Sequence, residues 1–377
     1  MNRDNIIQLT KDLINVNSSN PPGNEKVVAD ILKERLEKIG LEVEYIEAAR
    51  DRPNIIARWK GDGDKKLIIA GHTDTVPAGS DWEHDPFNAL VENERIYGRG
   101  AADMKGGLAS IIDSIETLKS SGWEPKGELI FLGYSNEETG DGEEIGMRHV
   151  AKKLKANAML ICDSTDFDIV TAEKGVLWVE VEAIGKEAHG SRPWEGVNAI
   201  EKLGKFLIEM NSMAFSMEHQ MLGKTTVSVN TITGGYKTNV IPAHAKARID
   251  IRIVPGETKE NILNKLEEMK KIAQQEDKDM KINFKELMYY EPVEISNEHP
   301  AVSLLVSSGE EVLGKKLEFM AEHGATGAGF FMKAGIPTIV LGPGKKEQCH
   351  AVDEYVDIKD LENASAIYEK FIKKFFE

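Results

Sequence analysis

Polar side chains that can bind metal ions or transfer protons follow several short apolar runs of the sequence. Each run has the length and composition of a strand that is buried on both faces of a sheet. Because the carboxyl ends of parallel strands meet at one edge, we expect the side chains that follow them to lie together. They are His72 and Asp74 after 67–70, Glu137 and Glu138 after 129–134, Asp163 after 159–162, and His350 in the loop after 338–341.

Two histidines and several carboxylates, without a thiolate, suit a borderline divalent cation such as Zn²⁺, Co²⁺ or Mn²⁺. Asp103, in the glycine-rich segment 97–107, is a further ligand candidate. One carboxylate shared by two ions about 3.5–4 Å apart would make a two-metal hydrolase, in which the ions polarise a scissile carbonyl and activate a shared water. Asp74 could then orient His72 by accepting the second ring N–H.

Each of these residues also has an ordinary structural interpretation when it is taken alone. A single histidine after a strand is more often a hydrogen-bonded structural residue than a ligand. Asp103 and Asp163 could cap helices, and Glu137 with Glu138 could form a solvated turn. These alternatives do not explain why so many such residues fall at one sheet edge.

Other kinds of site find little support. The segment 98–103 lacks the third glycine of a dinucleotide fingerprint, and the sequence contains no phosphate-binding P-loop, no H-E-x-x-H and no G-x-S-x-G. Cys162 and Cys349 each precede a proposed ligand, and we interpret them as small buried hydrophobic residues rather than nucleophiles.

The order of apolar patterns predicts two domains. Strands and helices alternate near both ends of the chain, which is typical of a layered α/β/α domain with a mostly parallel sheet. Residues 175–290 instead have the order β-α-β-β-α-β of a split ferredoxin-like α+β domain. We therefore predict a catalytic domain built from 1–174 and 291–377, with an inserted domain over 175–290.

Composition limits the class of protein. With 377 residues, of which 41% are hydrophobic, the chain can bury a sizeable core. A net charge of −16 argues against nucleic acid or an anionic membrane as a partner. Two cysteines without C-x-x-C spacing, no apolar run of about 18 residues and no secretory leader predict a cytoplasmic protein.

The sequence resembles the zinc-dependent amidohydrolases and exopeptidases that include acetylornithine deacetylase, succinyl-diaminopimelate desuccinylase, aminoacylase, glutamate carboxypeptidase and several dipeptidases. The resemblance covers essentially the whole chain. It rests on GHTD at 71–74, WEHDPF at 82–87, YGRGAADMKG at 97–106, EETG at 137–140, AHGSRP at 188–193, GGYKTNVIP at 234–242, DIR at 250–252 and GIP at 335–337.

This resemblance implies specific roles for the site residues. It implies two metal ions, which are zinc ions in this family. Their implied ligands are His72, Asp103, Glu138, Asp163 and His350, with Asp103 bridging. Glu137 would be the general base that takes a proton from a metal-bridged water and delivers it to the leaving amine, and Asp74 would orient His72. The inserted domain would serve as a lid and dimerisation domain. Its His189 would stabilise the oxyanion in a neighbouring subunit's site, and its Asn239 and Arg252 would contact the substrate.

We therefore expect a homodimeric amide hydrolase that acts on an N-acyl-amino acid or a short peptide. A deacetylase or desuccinylase and a dipeptidase or aminopeptidase both remain open, while a non-catalytic binding protein and a zinc-stabilised structural protein are less favoured. Residues 326–330, Thr-Gly-Ala-Gly-Phe, lack the Asp and Arg that relatives use to grip a substrate carboxylate. Asp163 stands where the family's deacylases more often have Glu, which favours a peptide.

Overall fold

The computed structural model describes residues 3–139, 145–210 and 212–377, so Gly140 of the predicted EETG motif lies outside the described residues. The helices are α1 (Arg3–Ile14), α2 (Glu25–Lys38), α3 (Gly106–Ser120), α4 (Gly146–Val150), α5 (Ala199–Met210), α6 (Lys259–Glu276), α7 (Pro300–Leu313), α8 (Ala328–Lys333) and α9 (Ile358–Phe376). A π-helical turn at Ala101–Lys105 precedes α3, and 3₁₀ turns lie at Pro193–Glu195 and Lys346–Gln348.

The strands, numbered along the chain, are β1 (Glu42–Ala49), β2 (Arg52–Lys60), β3 (Lys65–His72), β4 (Leu90–Glu92), β5 (Arg95–Tyr97), β6 (Gly127–Tyr134), β7 (Ala158–Ile161), β8 (Ile169–Glu173), β9 (Gly175–Ile184), β10 (Ala188–His189), β11 (Glu218–His219), β12 (Gly223–Lys224), β13 (Thr226–Gly234), β14 (Val240–Ile241), β15 (His244–Ile253), β16 (Ile282–Tyr290), β17 (Val293–Glu294), β18 (Phe319–Glu322), β19 (Thr338–Val340) and β20 (Tyr355–Asp357).

The chain divides into two compact units. The first comprises Met1–Thr171, Ile295–Met320 and Thr326–Glu377, and the second comprises Ala172–Glu294 and Ala321–Ala325. The segment 175–290, predicted as an inserted domain, falls within the second unit.

The central sheet of the first unit has the strand order β1-β2-β6-β3-β7-β19-β8. Its middle strands, β6, β3, β7 and β19, are parallel, which confirms the predicted layered α/β class with a mainly parallel sheet. Strands β3 and β6 are buried almost throughout, as their continuous apolar runs predicted. Because β3, β6, β7 and β19 run the same way, the residues that follow them reach one edge of the sheet.

One apolar core joins this sheet to its helices. Buried side chains of α1, α2, α3, α7 and α9 pack with those of the sheet. The amphipathic spacing in α3, where Leu108, Ile111, Ile112 and Ile115 are all buried, explains why this stretch forms a helix against the sheet. The packing is close at the carboxyl edge: a Cβ on Gly342 would lie 2.2 Å from the carbonyl oxygen of Asp163, so that position accepts only glycine.

The second unit has its own four-stranded antiparallel sheet, in the order β13-β15-β9-β16. Its elements follow the chain order β9-α5-β13-β15-α6-β16, which is the β-α-β-β-α-β order of a split ferredoxin-like unit. Side chains from α5, including Phe206, and from α6, including Ile262, pack with alternate residues of β9 and β15 in a separate core. Among the described residues of the chain, none of the helices is both long and apolar enough to span a bilayer.

Candidate metal centre

His72 is the last residue of β3, and its ring is held at both nitrogen atoms. Nε2 lies 2.9 Å from Oδ1 of Asp103, and Nδ1 lies 3.0 Å from the backbone carbonyl oxygen of Asp74. Burial alone would lower the pKa of His72, but the hydrogen bonds with Asp103 and Asp74 raise it well above 6.5. The hydrogen-bond acceptor for Nδ1 of His72 is chiefly the backbone carbonyl oxygen of Asp74, because the nearest carboxylate oxygen of Asp74 lies 3.6 Å from Nδ1.

Asp74 connects β3 to the turn that carries the two glutamates. Its buried carboxylate accepts hydrogen bonds from the backbone N–H groups of Glu137 and Glu138, at 3.2 and 3.1 Å, and from Nδ2 of Asn20 at 2.8 Å. Burial alone would raise the pKa of Asp74, but the imidazole of His72 and these donors lower it. One carboxylate therefore fixes the backbone of both glutamates relative to His72.

Asp103 stands between the two histidines. Its Oδ1 faces His72, and its Oδ2 lies 3.4 Å from Nε2 of His350. His350 is also 3.2 Å from Oε2 of Glu138. Against the effect of burial, the two histidines lower the pKa of Asp103 below its usual range. The structure thus brings His72, Asp103, Glu138 and His350 into one cluster, although the loops that carry them are far apart in sequence.

Asp163 and Glu137 border the same cluster. Burial, together with the negative charge of Asp103, raises the pKa of Asp163 to about 6. Burial also raises the pKa of Glu137 well above 4.5, and the carboxylates of Glu138, Asp163 and Asp103 add to this effect. The site therefore concentrates more negative charge than its two histidines can neutralise, which is the electrostatic condition for cation binding.

The residues fit divalent metal ions. Ligand atoms of His72, Asp103 and Glu138 all lie within 4.8 Å of one another. Oε1 of Glu138 is buried and has no hydrogen-bond partner among the residues that the structure describes, which is costly for a carboxylate oxygen unless a cation or water meets it. Imidazole nitrogen and carboxylate oxygen atoms, without a thiolate, form a donor set typical of Zn²⁺, Co²⁺ or Mn²⁺.

Sequence reasoning missed three residues that contact or border this site. Asn20 supports Asp74, and Glu354 accepts a hydrogen bond from the backbone N–H of Asp103 at 3.0 Å. The hydroxyl of Tyr134 is buried and has no hydrogen-bond partner in the described part of the chain. Burial raises the pKa of Tyr134 well above 10, and nearby carboxylates add to this effect. Only Tyr134 offered a positional signal, since it ends a buried run; Asn20 lies in a turn-rich segment and Glu354 follows no strand.

In the second unit, the structure brings His189 and Asn239 together. His189 is paired with Val240 across β10 and β14, and the N–H of Gly190 donates to the carbonyl oxygen of Asn239 at 2.8 Å. Both His189 and Asn239 are exposed. Nδ1 of His189 lies 2.8 Å from the hydroxyl oxygen of Ser191, which orients the ring.

Arg252 lies on β15 of the four-stranded sheet, whereas β10 and β14 form a separate two-stranded sheet that the chain leaves just before His244. The register pairs His244 with Ile184 at one end of β15 and Arg252 with Val176 at the other. At ~3.3 Å per residue, the eight steps from His244 to Arg252 span about 26 Å. Arg252 also forms a two-point ion pair with Asp250, at 2.8 and 3.0 Å. The substrate contacts predicted for this unit therefore fall into two separate groups.

Comparison with known proteins gives a family from the sequence and a shared fold from solved structures. Residues 68–374 match the model of peptidase family M20/M25/M40. An acetylornithine deacetylase of Aliivibrio salmonicida is 30% identical over 375 residues, with 97% of this chain and 95% of the relative covered. The aminopeptidase PepT of Bacillus cereus superposes with a TM-score of 0.81 at 22% identity and complete coverage of both chains. A dinuclear metal-binding M20 peptidase of Bacillus subtilis gives 0.71 at 19% identity, covering 99% of this chain and 98% of that one.

Proposed function

Because the chain belongs to peptidase family M20/M25/M40, a family of hydrolases of linear amide bonds, we propose that it cleaves an N-acyl-amino acid or a short peptide with two divalent metal ions and Glu137 as the general base. The observation that carries this proposal is the cluster of His72, Asp103, Glu138 and His350 beside Glu137. A few neutral hydrogen-bonded side chains would serve any structural purpose better than this cluster of charged groups does.

The proposed ligands are the cluster residues together with Asp163, and Asp103 is the shared one. Its two oxygen atoms face different histidines, which supports a position between two ions. When bound, such ions polarise the scissile carbonyl and lower the pKa of a water molecule. Zn²⁺ is the proposed ion, with Co²⁺ and Mn²⁺ as alternatives that the same donors accept.

Glu137 is proposed to move the proton. Its carboxylate takes a proton from the attacking water and returns it to the nitrogen of the leaving amine, so that one group acts first as base and then as acid. Two features support this role: the backbone N–H of Glu137 is fixed on Asp74, and its side chain lies among the carboxylates of the cluster. Asp74 is the proposed positioning residue for both His72 and the glutamate turn.

The proposal also concerns which substrate is cleaved, an N-acyl-amino acid or a short peptide. The acetylornithine deacetylase relatives favour an N-acyl-amino acid. However, the segment 326–330 has no arginine, and a Cβ at Gly327 would lie 2.4 Å from Cε of Met147, so an aspartate there would require Met147 to move. Together with Asp163, this difference supports a dipeptide as the second candidate, with the substrate carboxylate held elsewhere, for example by Arg252.

Hydrolysis of a matched panel tests these alternatives. Protein loaded with Zn²⁺ or Co²⁺ is assayed against N-acetyl- and N-succinyl-amino acids and against dipeptides that share the same amino-acid side chains. Turnover of the acylated compounds supports a deacylase, and turnover of dipeptides alone supports a dipeptidase. If no linear amide is cleaved by either form, the proposed function is wrong.

Removal of metal is expected to abolish activity and to leave the fold in place. The first unit has a large apolar core that can hold the fold, whereas small domains that depend on a structural metal unfold on chelation. Treatment with a chelator should therefore remove hydrolysis while the far-ultraviolet circular dichroism changes little, and added Zn²⁺ or Co²⁺ should restore the rate. Unfolding on chelation would instead support a metal-stabilised structural protein.

We further propose a homodimer, formed through the second unit, in which His189 and Asn239 serve the partner's site. The span of about 26 Å along β15 from Arg252 to His244, which follows the strand next to His189, supports this, because groups so far apart are better placed to serve two different sites. Exposed apolar side chains support an interface: Ile208 on α5 is 72% exposed, and Val229 and Ile232 on the edge strand β13 are 41% and 57% exposed. Both cysteines are free, which supports the proposed cytoplasmic location.

Mixing two inactive variants tests the dimer and the role of His189 together. Sedimentation should give about twice the chain mass of 41.8 kDa. His189→Ala and Glu137→Gln, each nearly inactive alone, should regain up to about a quarter of wild-type activity after subunit exchange, because one site of each mixed dimer is then complete. A monomer, or a mixture without recovered activity, would contradict this arrangement.

A further inference from the structure

The carboxylate of Glu354 is completely buried and organises the loop that carries Asp103. Its Oε2 accepts hydrogen bonds from Nη1 of Arg99 at 2.7 Å and from the N–H of Gly100 at 3.0 Å. Its Oε1 accepts from the N–H groups of Ala102 and Asp103, at 2.8 and 3.0 Å. The backbone on which Asp103 stands is thus wrapped around a single carboxylate from a distant part of the chain.

Arg99, which is 2% exposed, extends this contact to two further loops. Its Nη2 lies 3.4 Å from the carbonyl oxygen of Ala78 and 3.4 Å from that of His350, and its guanidinium carbon lies 5.0 Å from the centre of the Trp82 ring. A buried guanidinium is costly unless its charge is paired and its N–H groups are used. The ion pair with Glu354 pairs the charge and leaves Nη2 to reach the loop that carries His350, while Nε has no hydrogen-bond partner among the described residues.

His350 depends on its backbone for its position. Its φ of 63° lies in the left-handed region, and its side chain is 55% exposed, so few neighbours hold the ring in place. Among the described residues, the polar partners of the ring are the carboxylates of Asp103 and Glu138, and both are themselves ligand candidates. The contact from Arg99 to its carbonyl oxygen is therefore an external constraint on where this ring stands.

We infer that Arg99 and Glu354 form the positioning pair of the metal centre, which sets the separation between the Asp103 loop and the His350 loop before any ion binds. The inference rests on the proposed function, since it assigns these loops a metal site. Neither residue touches the substrate or an ion in this scheme. The pair acts through the backbone of Asp103 and His350, in the way that outer hydrogen-bond partners tune metal ligands.

The decisive experiment measures metal binding rather than turnover. Zn²⁺ and Co²⁺ alone are titrated into the metal-free full-length protein by calorimetry, and the visible absorption of bound Co²⁺ reports the coordination geometry. The variant is Glu354→Gln, which keeps the side-chain shape but places an amide against three backbone N–H donors and Arg99. The matched control is Asp357→Asn, which removes a carboxylate of the same segment that pairs with Arg95 at 3.0 Å and with Lys345 at 2.9 Å and is not a ligand candidate.

We expect Glu354→Gln to weaken metal affinity by about 10- to 100-fold and to change the Co²⁺ spectrum, and we expect Asp357→Asn to change neither. Equal effects of the two substitutions, or wild-type affinity in Glu354→Gln, would overturn the inference. If Glu354→Gln does not fold, Arg99→Lys decides, because lysine can pair with Glu354 but cannot also reach both carbonyl oxygens; unchanged affinity and spectrum in Arg99→Lys would then overturn it. Failure of the proposed function is distinguishable, because the wild-type protein itself would then bind no pair of ions.

Discussion

Replacement of Glu137 by glutamine is expected to lower kcat by about 10²- to 10⁴-fold, the contribution of a general base, while the metal content stays unchanged. Glutamine has the same shape and keeps the backbone hydrogen bond to Asp74, but it cannot accept the proton of the attacking water. The measurement is kcat and KM for the best substrate of the panel, with metal content determined by elemental analysis on the same samples.

The control for this substitution is Glu47→Gln, which neutralises an exposed carboxylate on β1 of the same unit. It should leave both kcat and metal content at wild-type values. A Glu137→Gln protein that still turns over within a few-fold of the wild type would show that another group moves the proton. The mechanism proposed above would then be wrong even if hydrolysis itself were observed.

Replacement of Asp103 by asparagine is expected to lower kcat/KM by at least about 10³-fold and to release at least one metal ion per chain. A carboxylate that serves two ions supports several kcal/mol of transition-state stabilisation, and about 1.4 kcal/mol corresponds to a factor of ten in rate. Asparagine keeps the backbone N–H that Glu354 accepts, so the loop itself should persist. Elemental analysis and kinetics on the purified variant measure both effects.

The control for Asp103→Asn is Asp64→Asn, which also removes one negative charge but lies in the exposed turn between β2 and β3. The two active-site variants also test each other, because Glu137→Gln should retain two ions and Asp103→Asn should not. If Asp103→Asn keeps two ions and most of its activity, Asp103 is not the shared ligand. If both variants lose metal, Glu137 is a ligand rather than the base.

Much of this site could be predicted because its residues follow strands that are easy to recognise. Continuous apolar runs predicted β3, β6, β7 and β19, and parallel order then required His72, Glu137 and Glu138 to meet at one edge. Apolar spacing in the segment from Gly146 to Leu154 favours a helix over its whole length, but α4 ends at Val150 and turns follow it. Apolar periodicity places a helix but does not fix where its last turn unwinds.

The interactions that support the site could not be predicted in the same way. Glu354 contacts Gly100 and Asp103 across more than 250 residues, and no local pattern connects the two segments. Likewise, the choice of the carbonyl rather than the carboxylate of Asp74 as the acceptor for His72 depends on a difference of less than 1 Å. The separation of Arg252 from His189 follows from strand register, which is a property of the folded sheet and not of either segment.

The parallel pairing of β7 with β19 has a consequence for how the protein matures. These neighbouring strands are separated in the chain by the whole second unit, so β19 can join the sheet only after the second unit has been synthesised. Contacts of such long sequence separation form late in folding because closing a long loop costs chain entropy. His350 follows β19, so a nascent chain lacks this proposed ligand until the second unit has been made. With the proposed ligand set, ions would therefore be bound after the second unit is synthesised and would not serve as a nucleus for folding of the first unit.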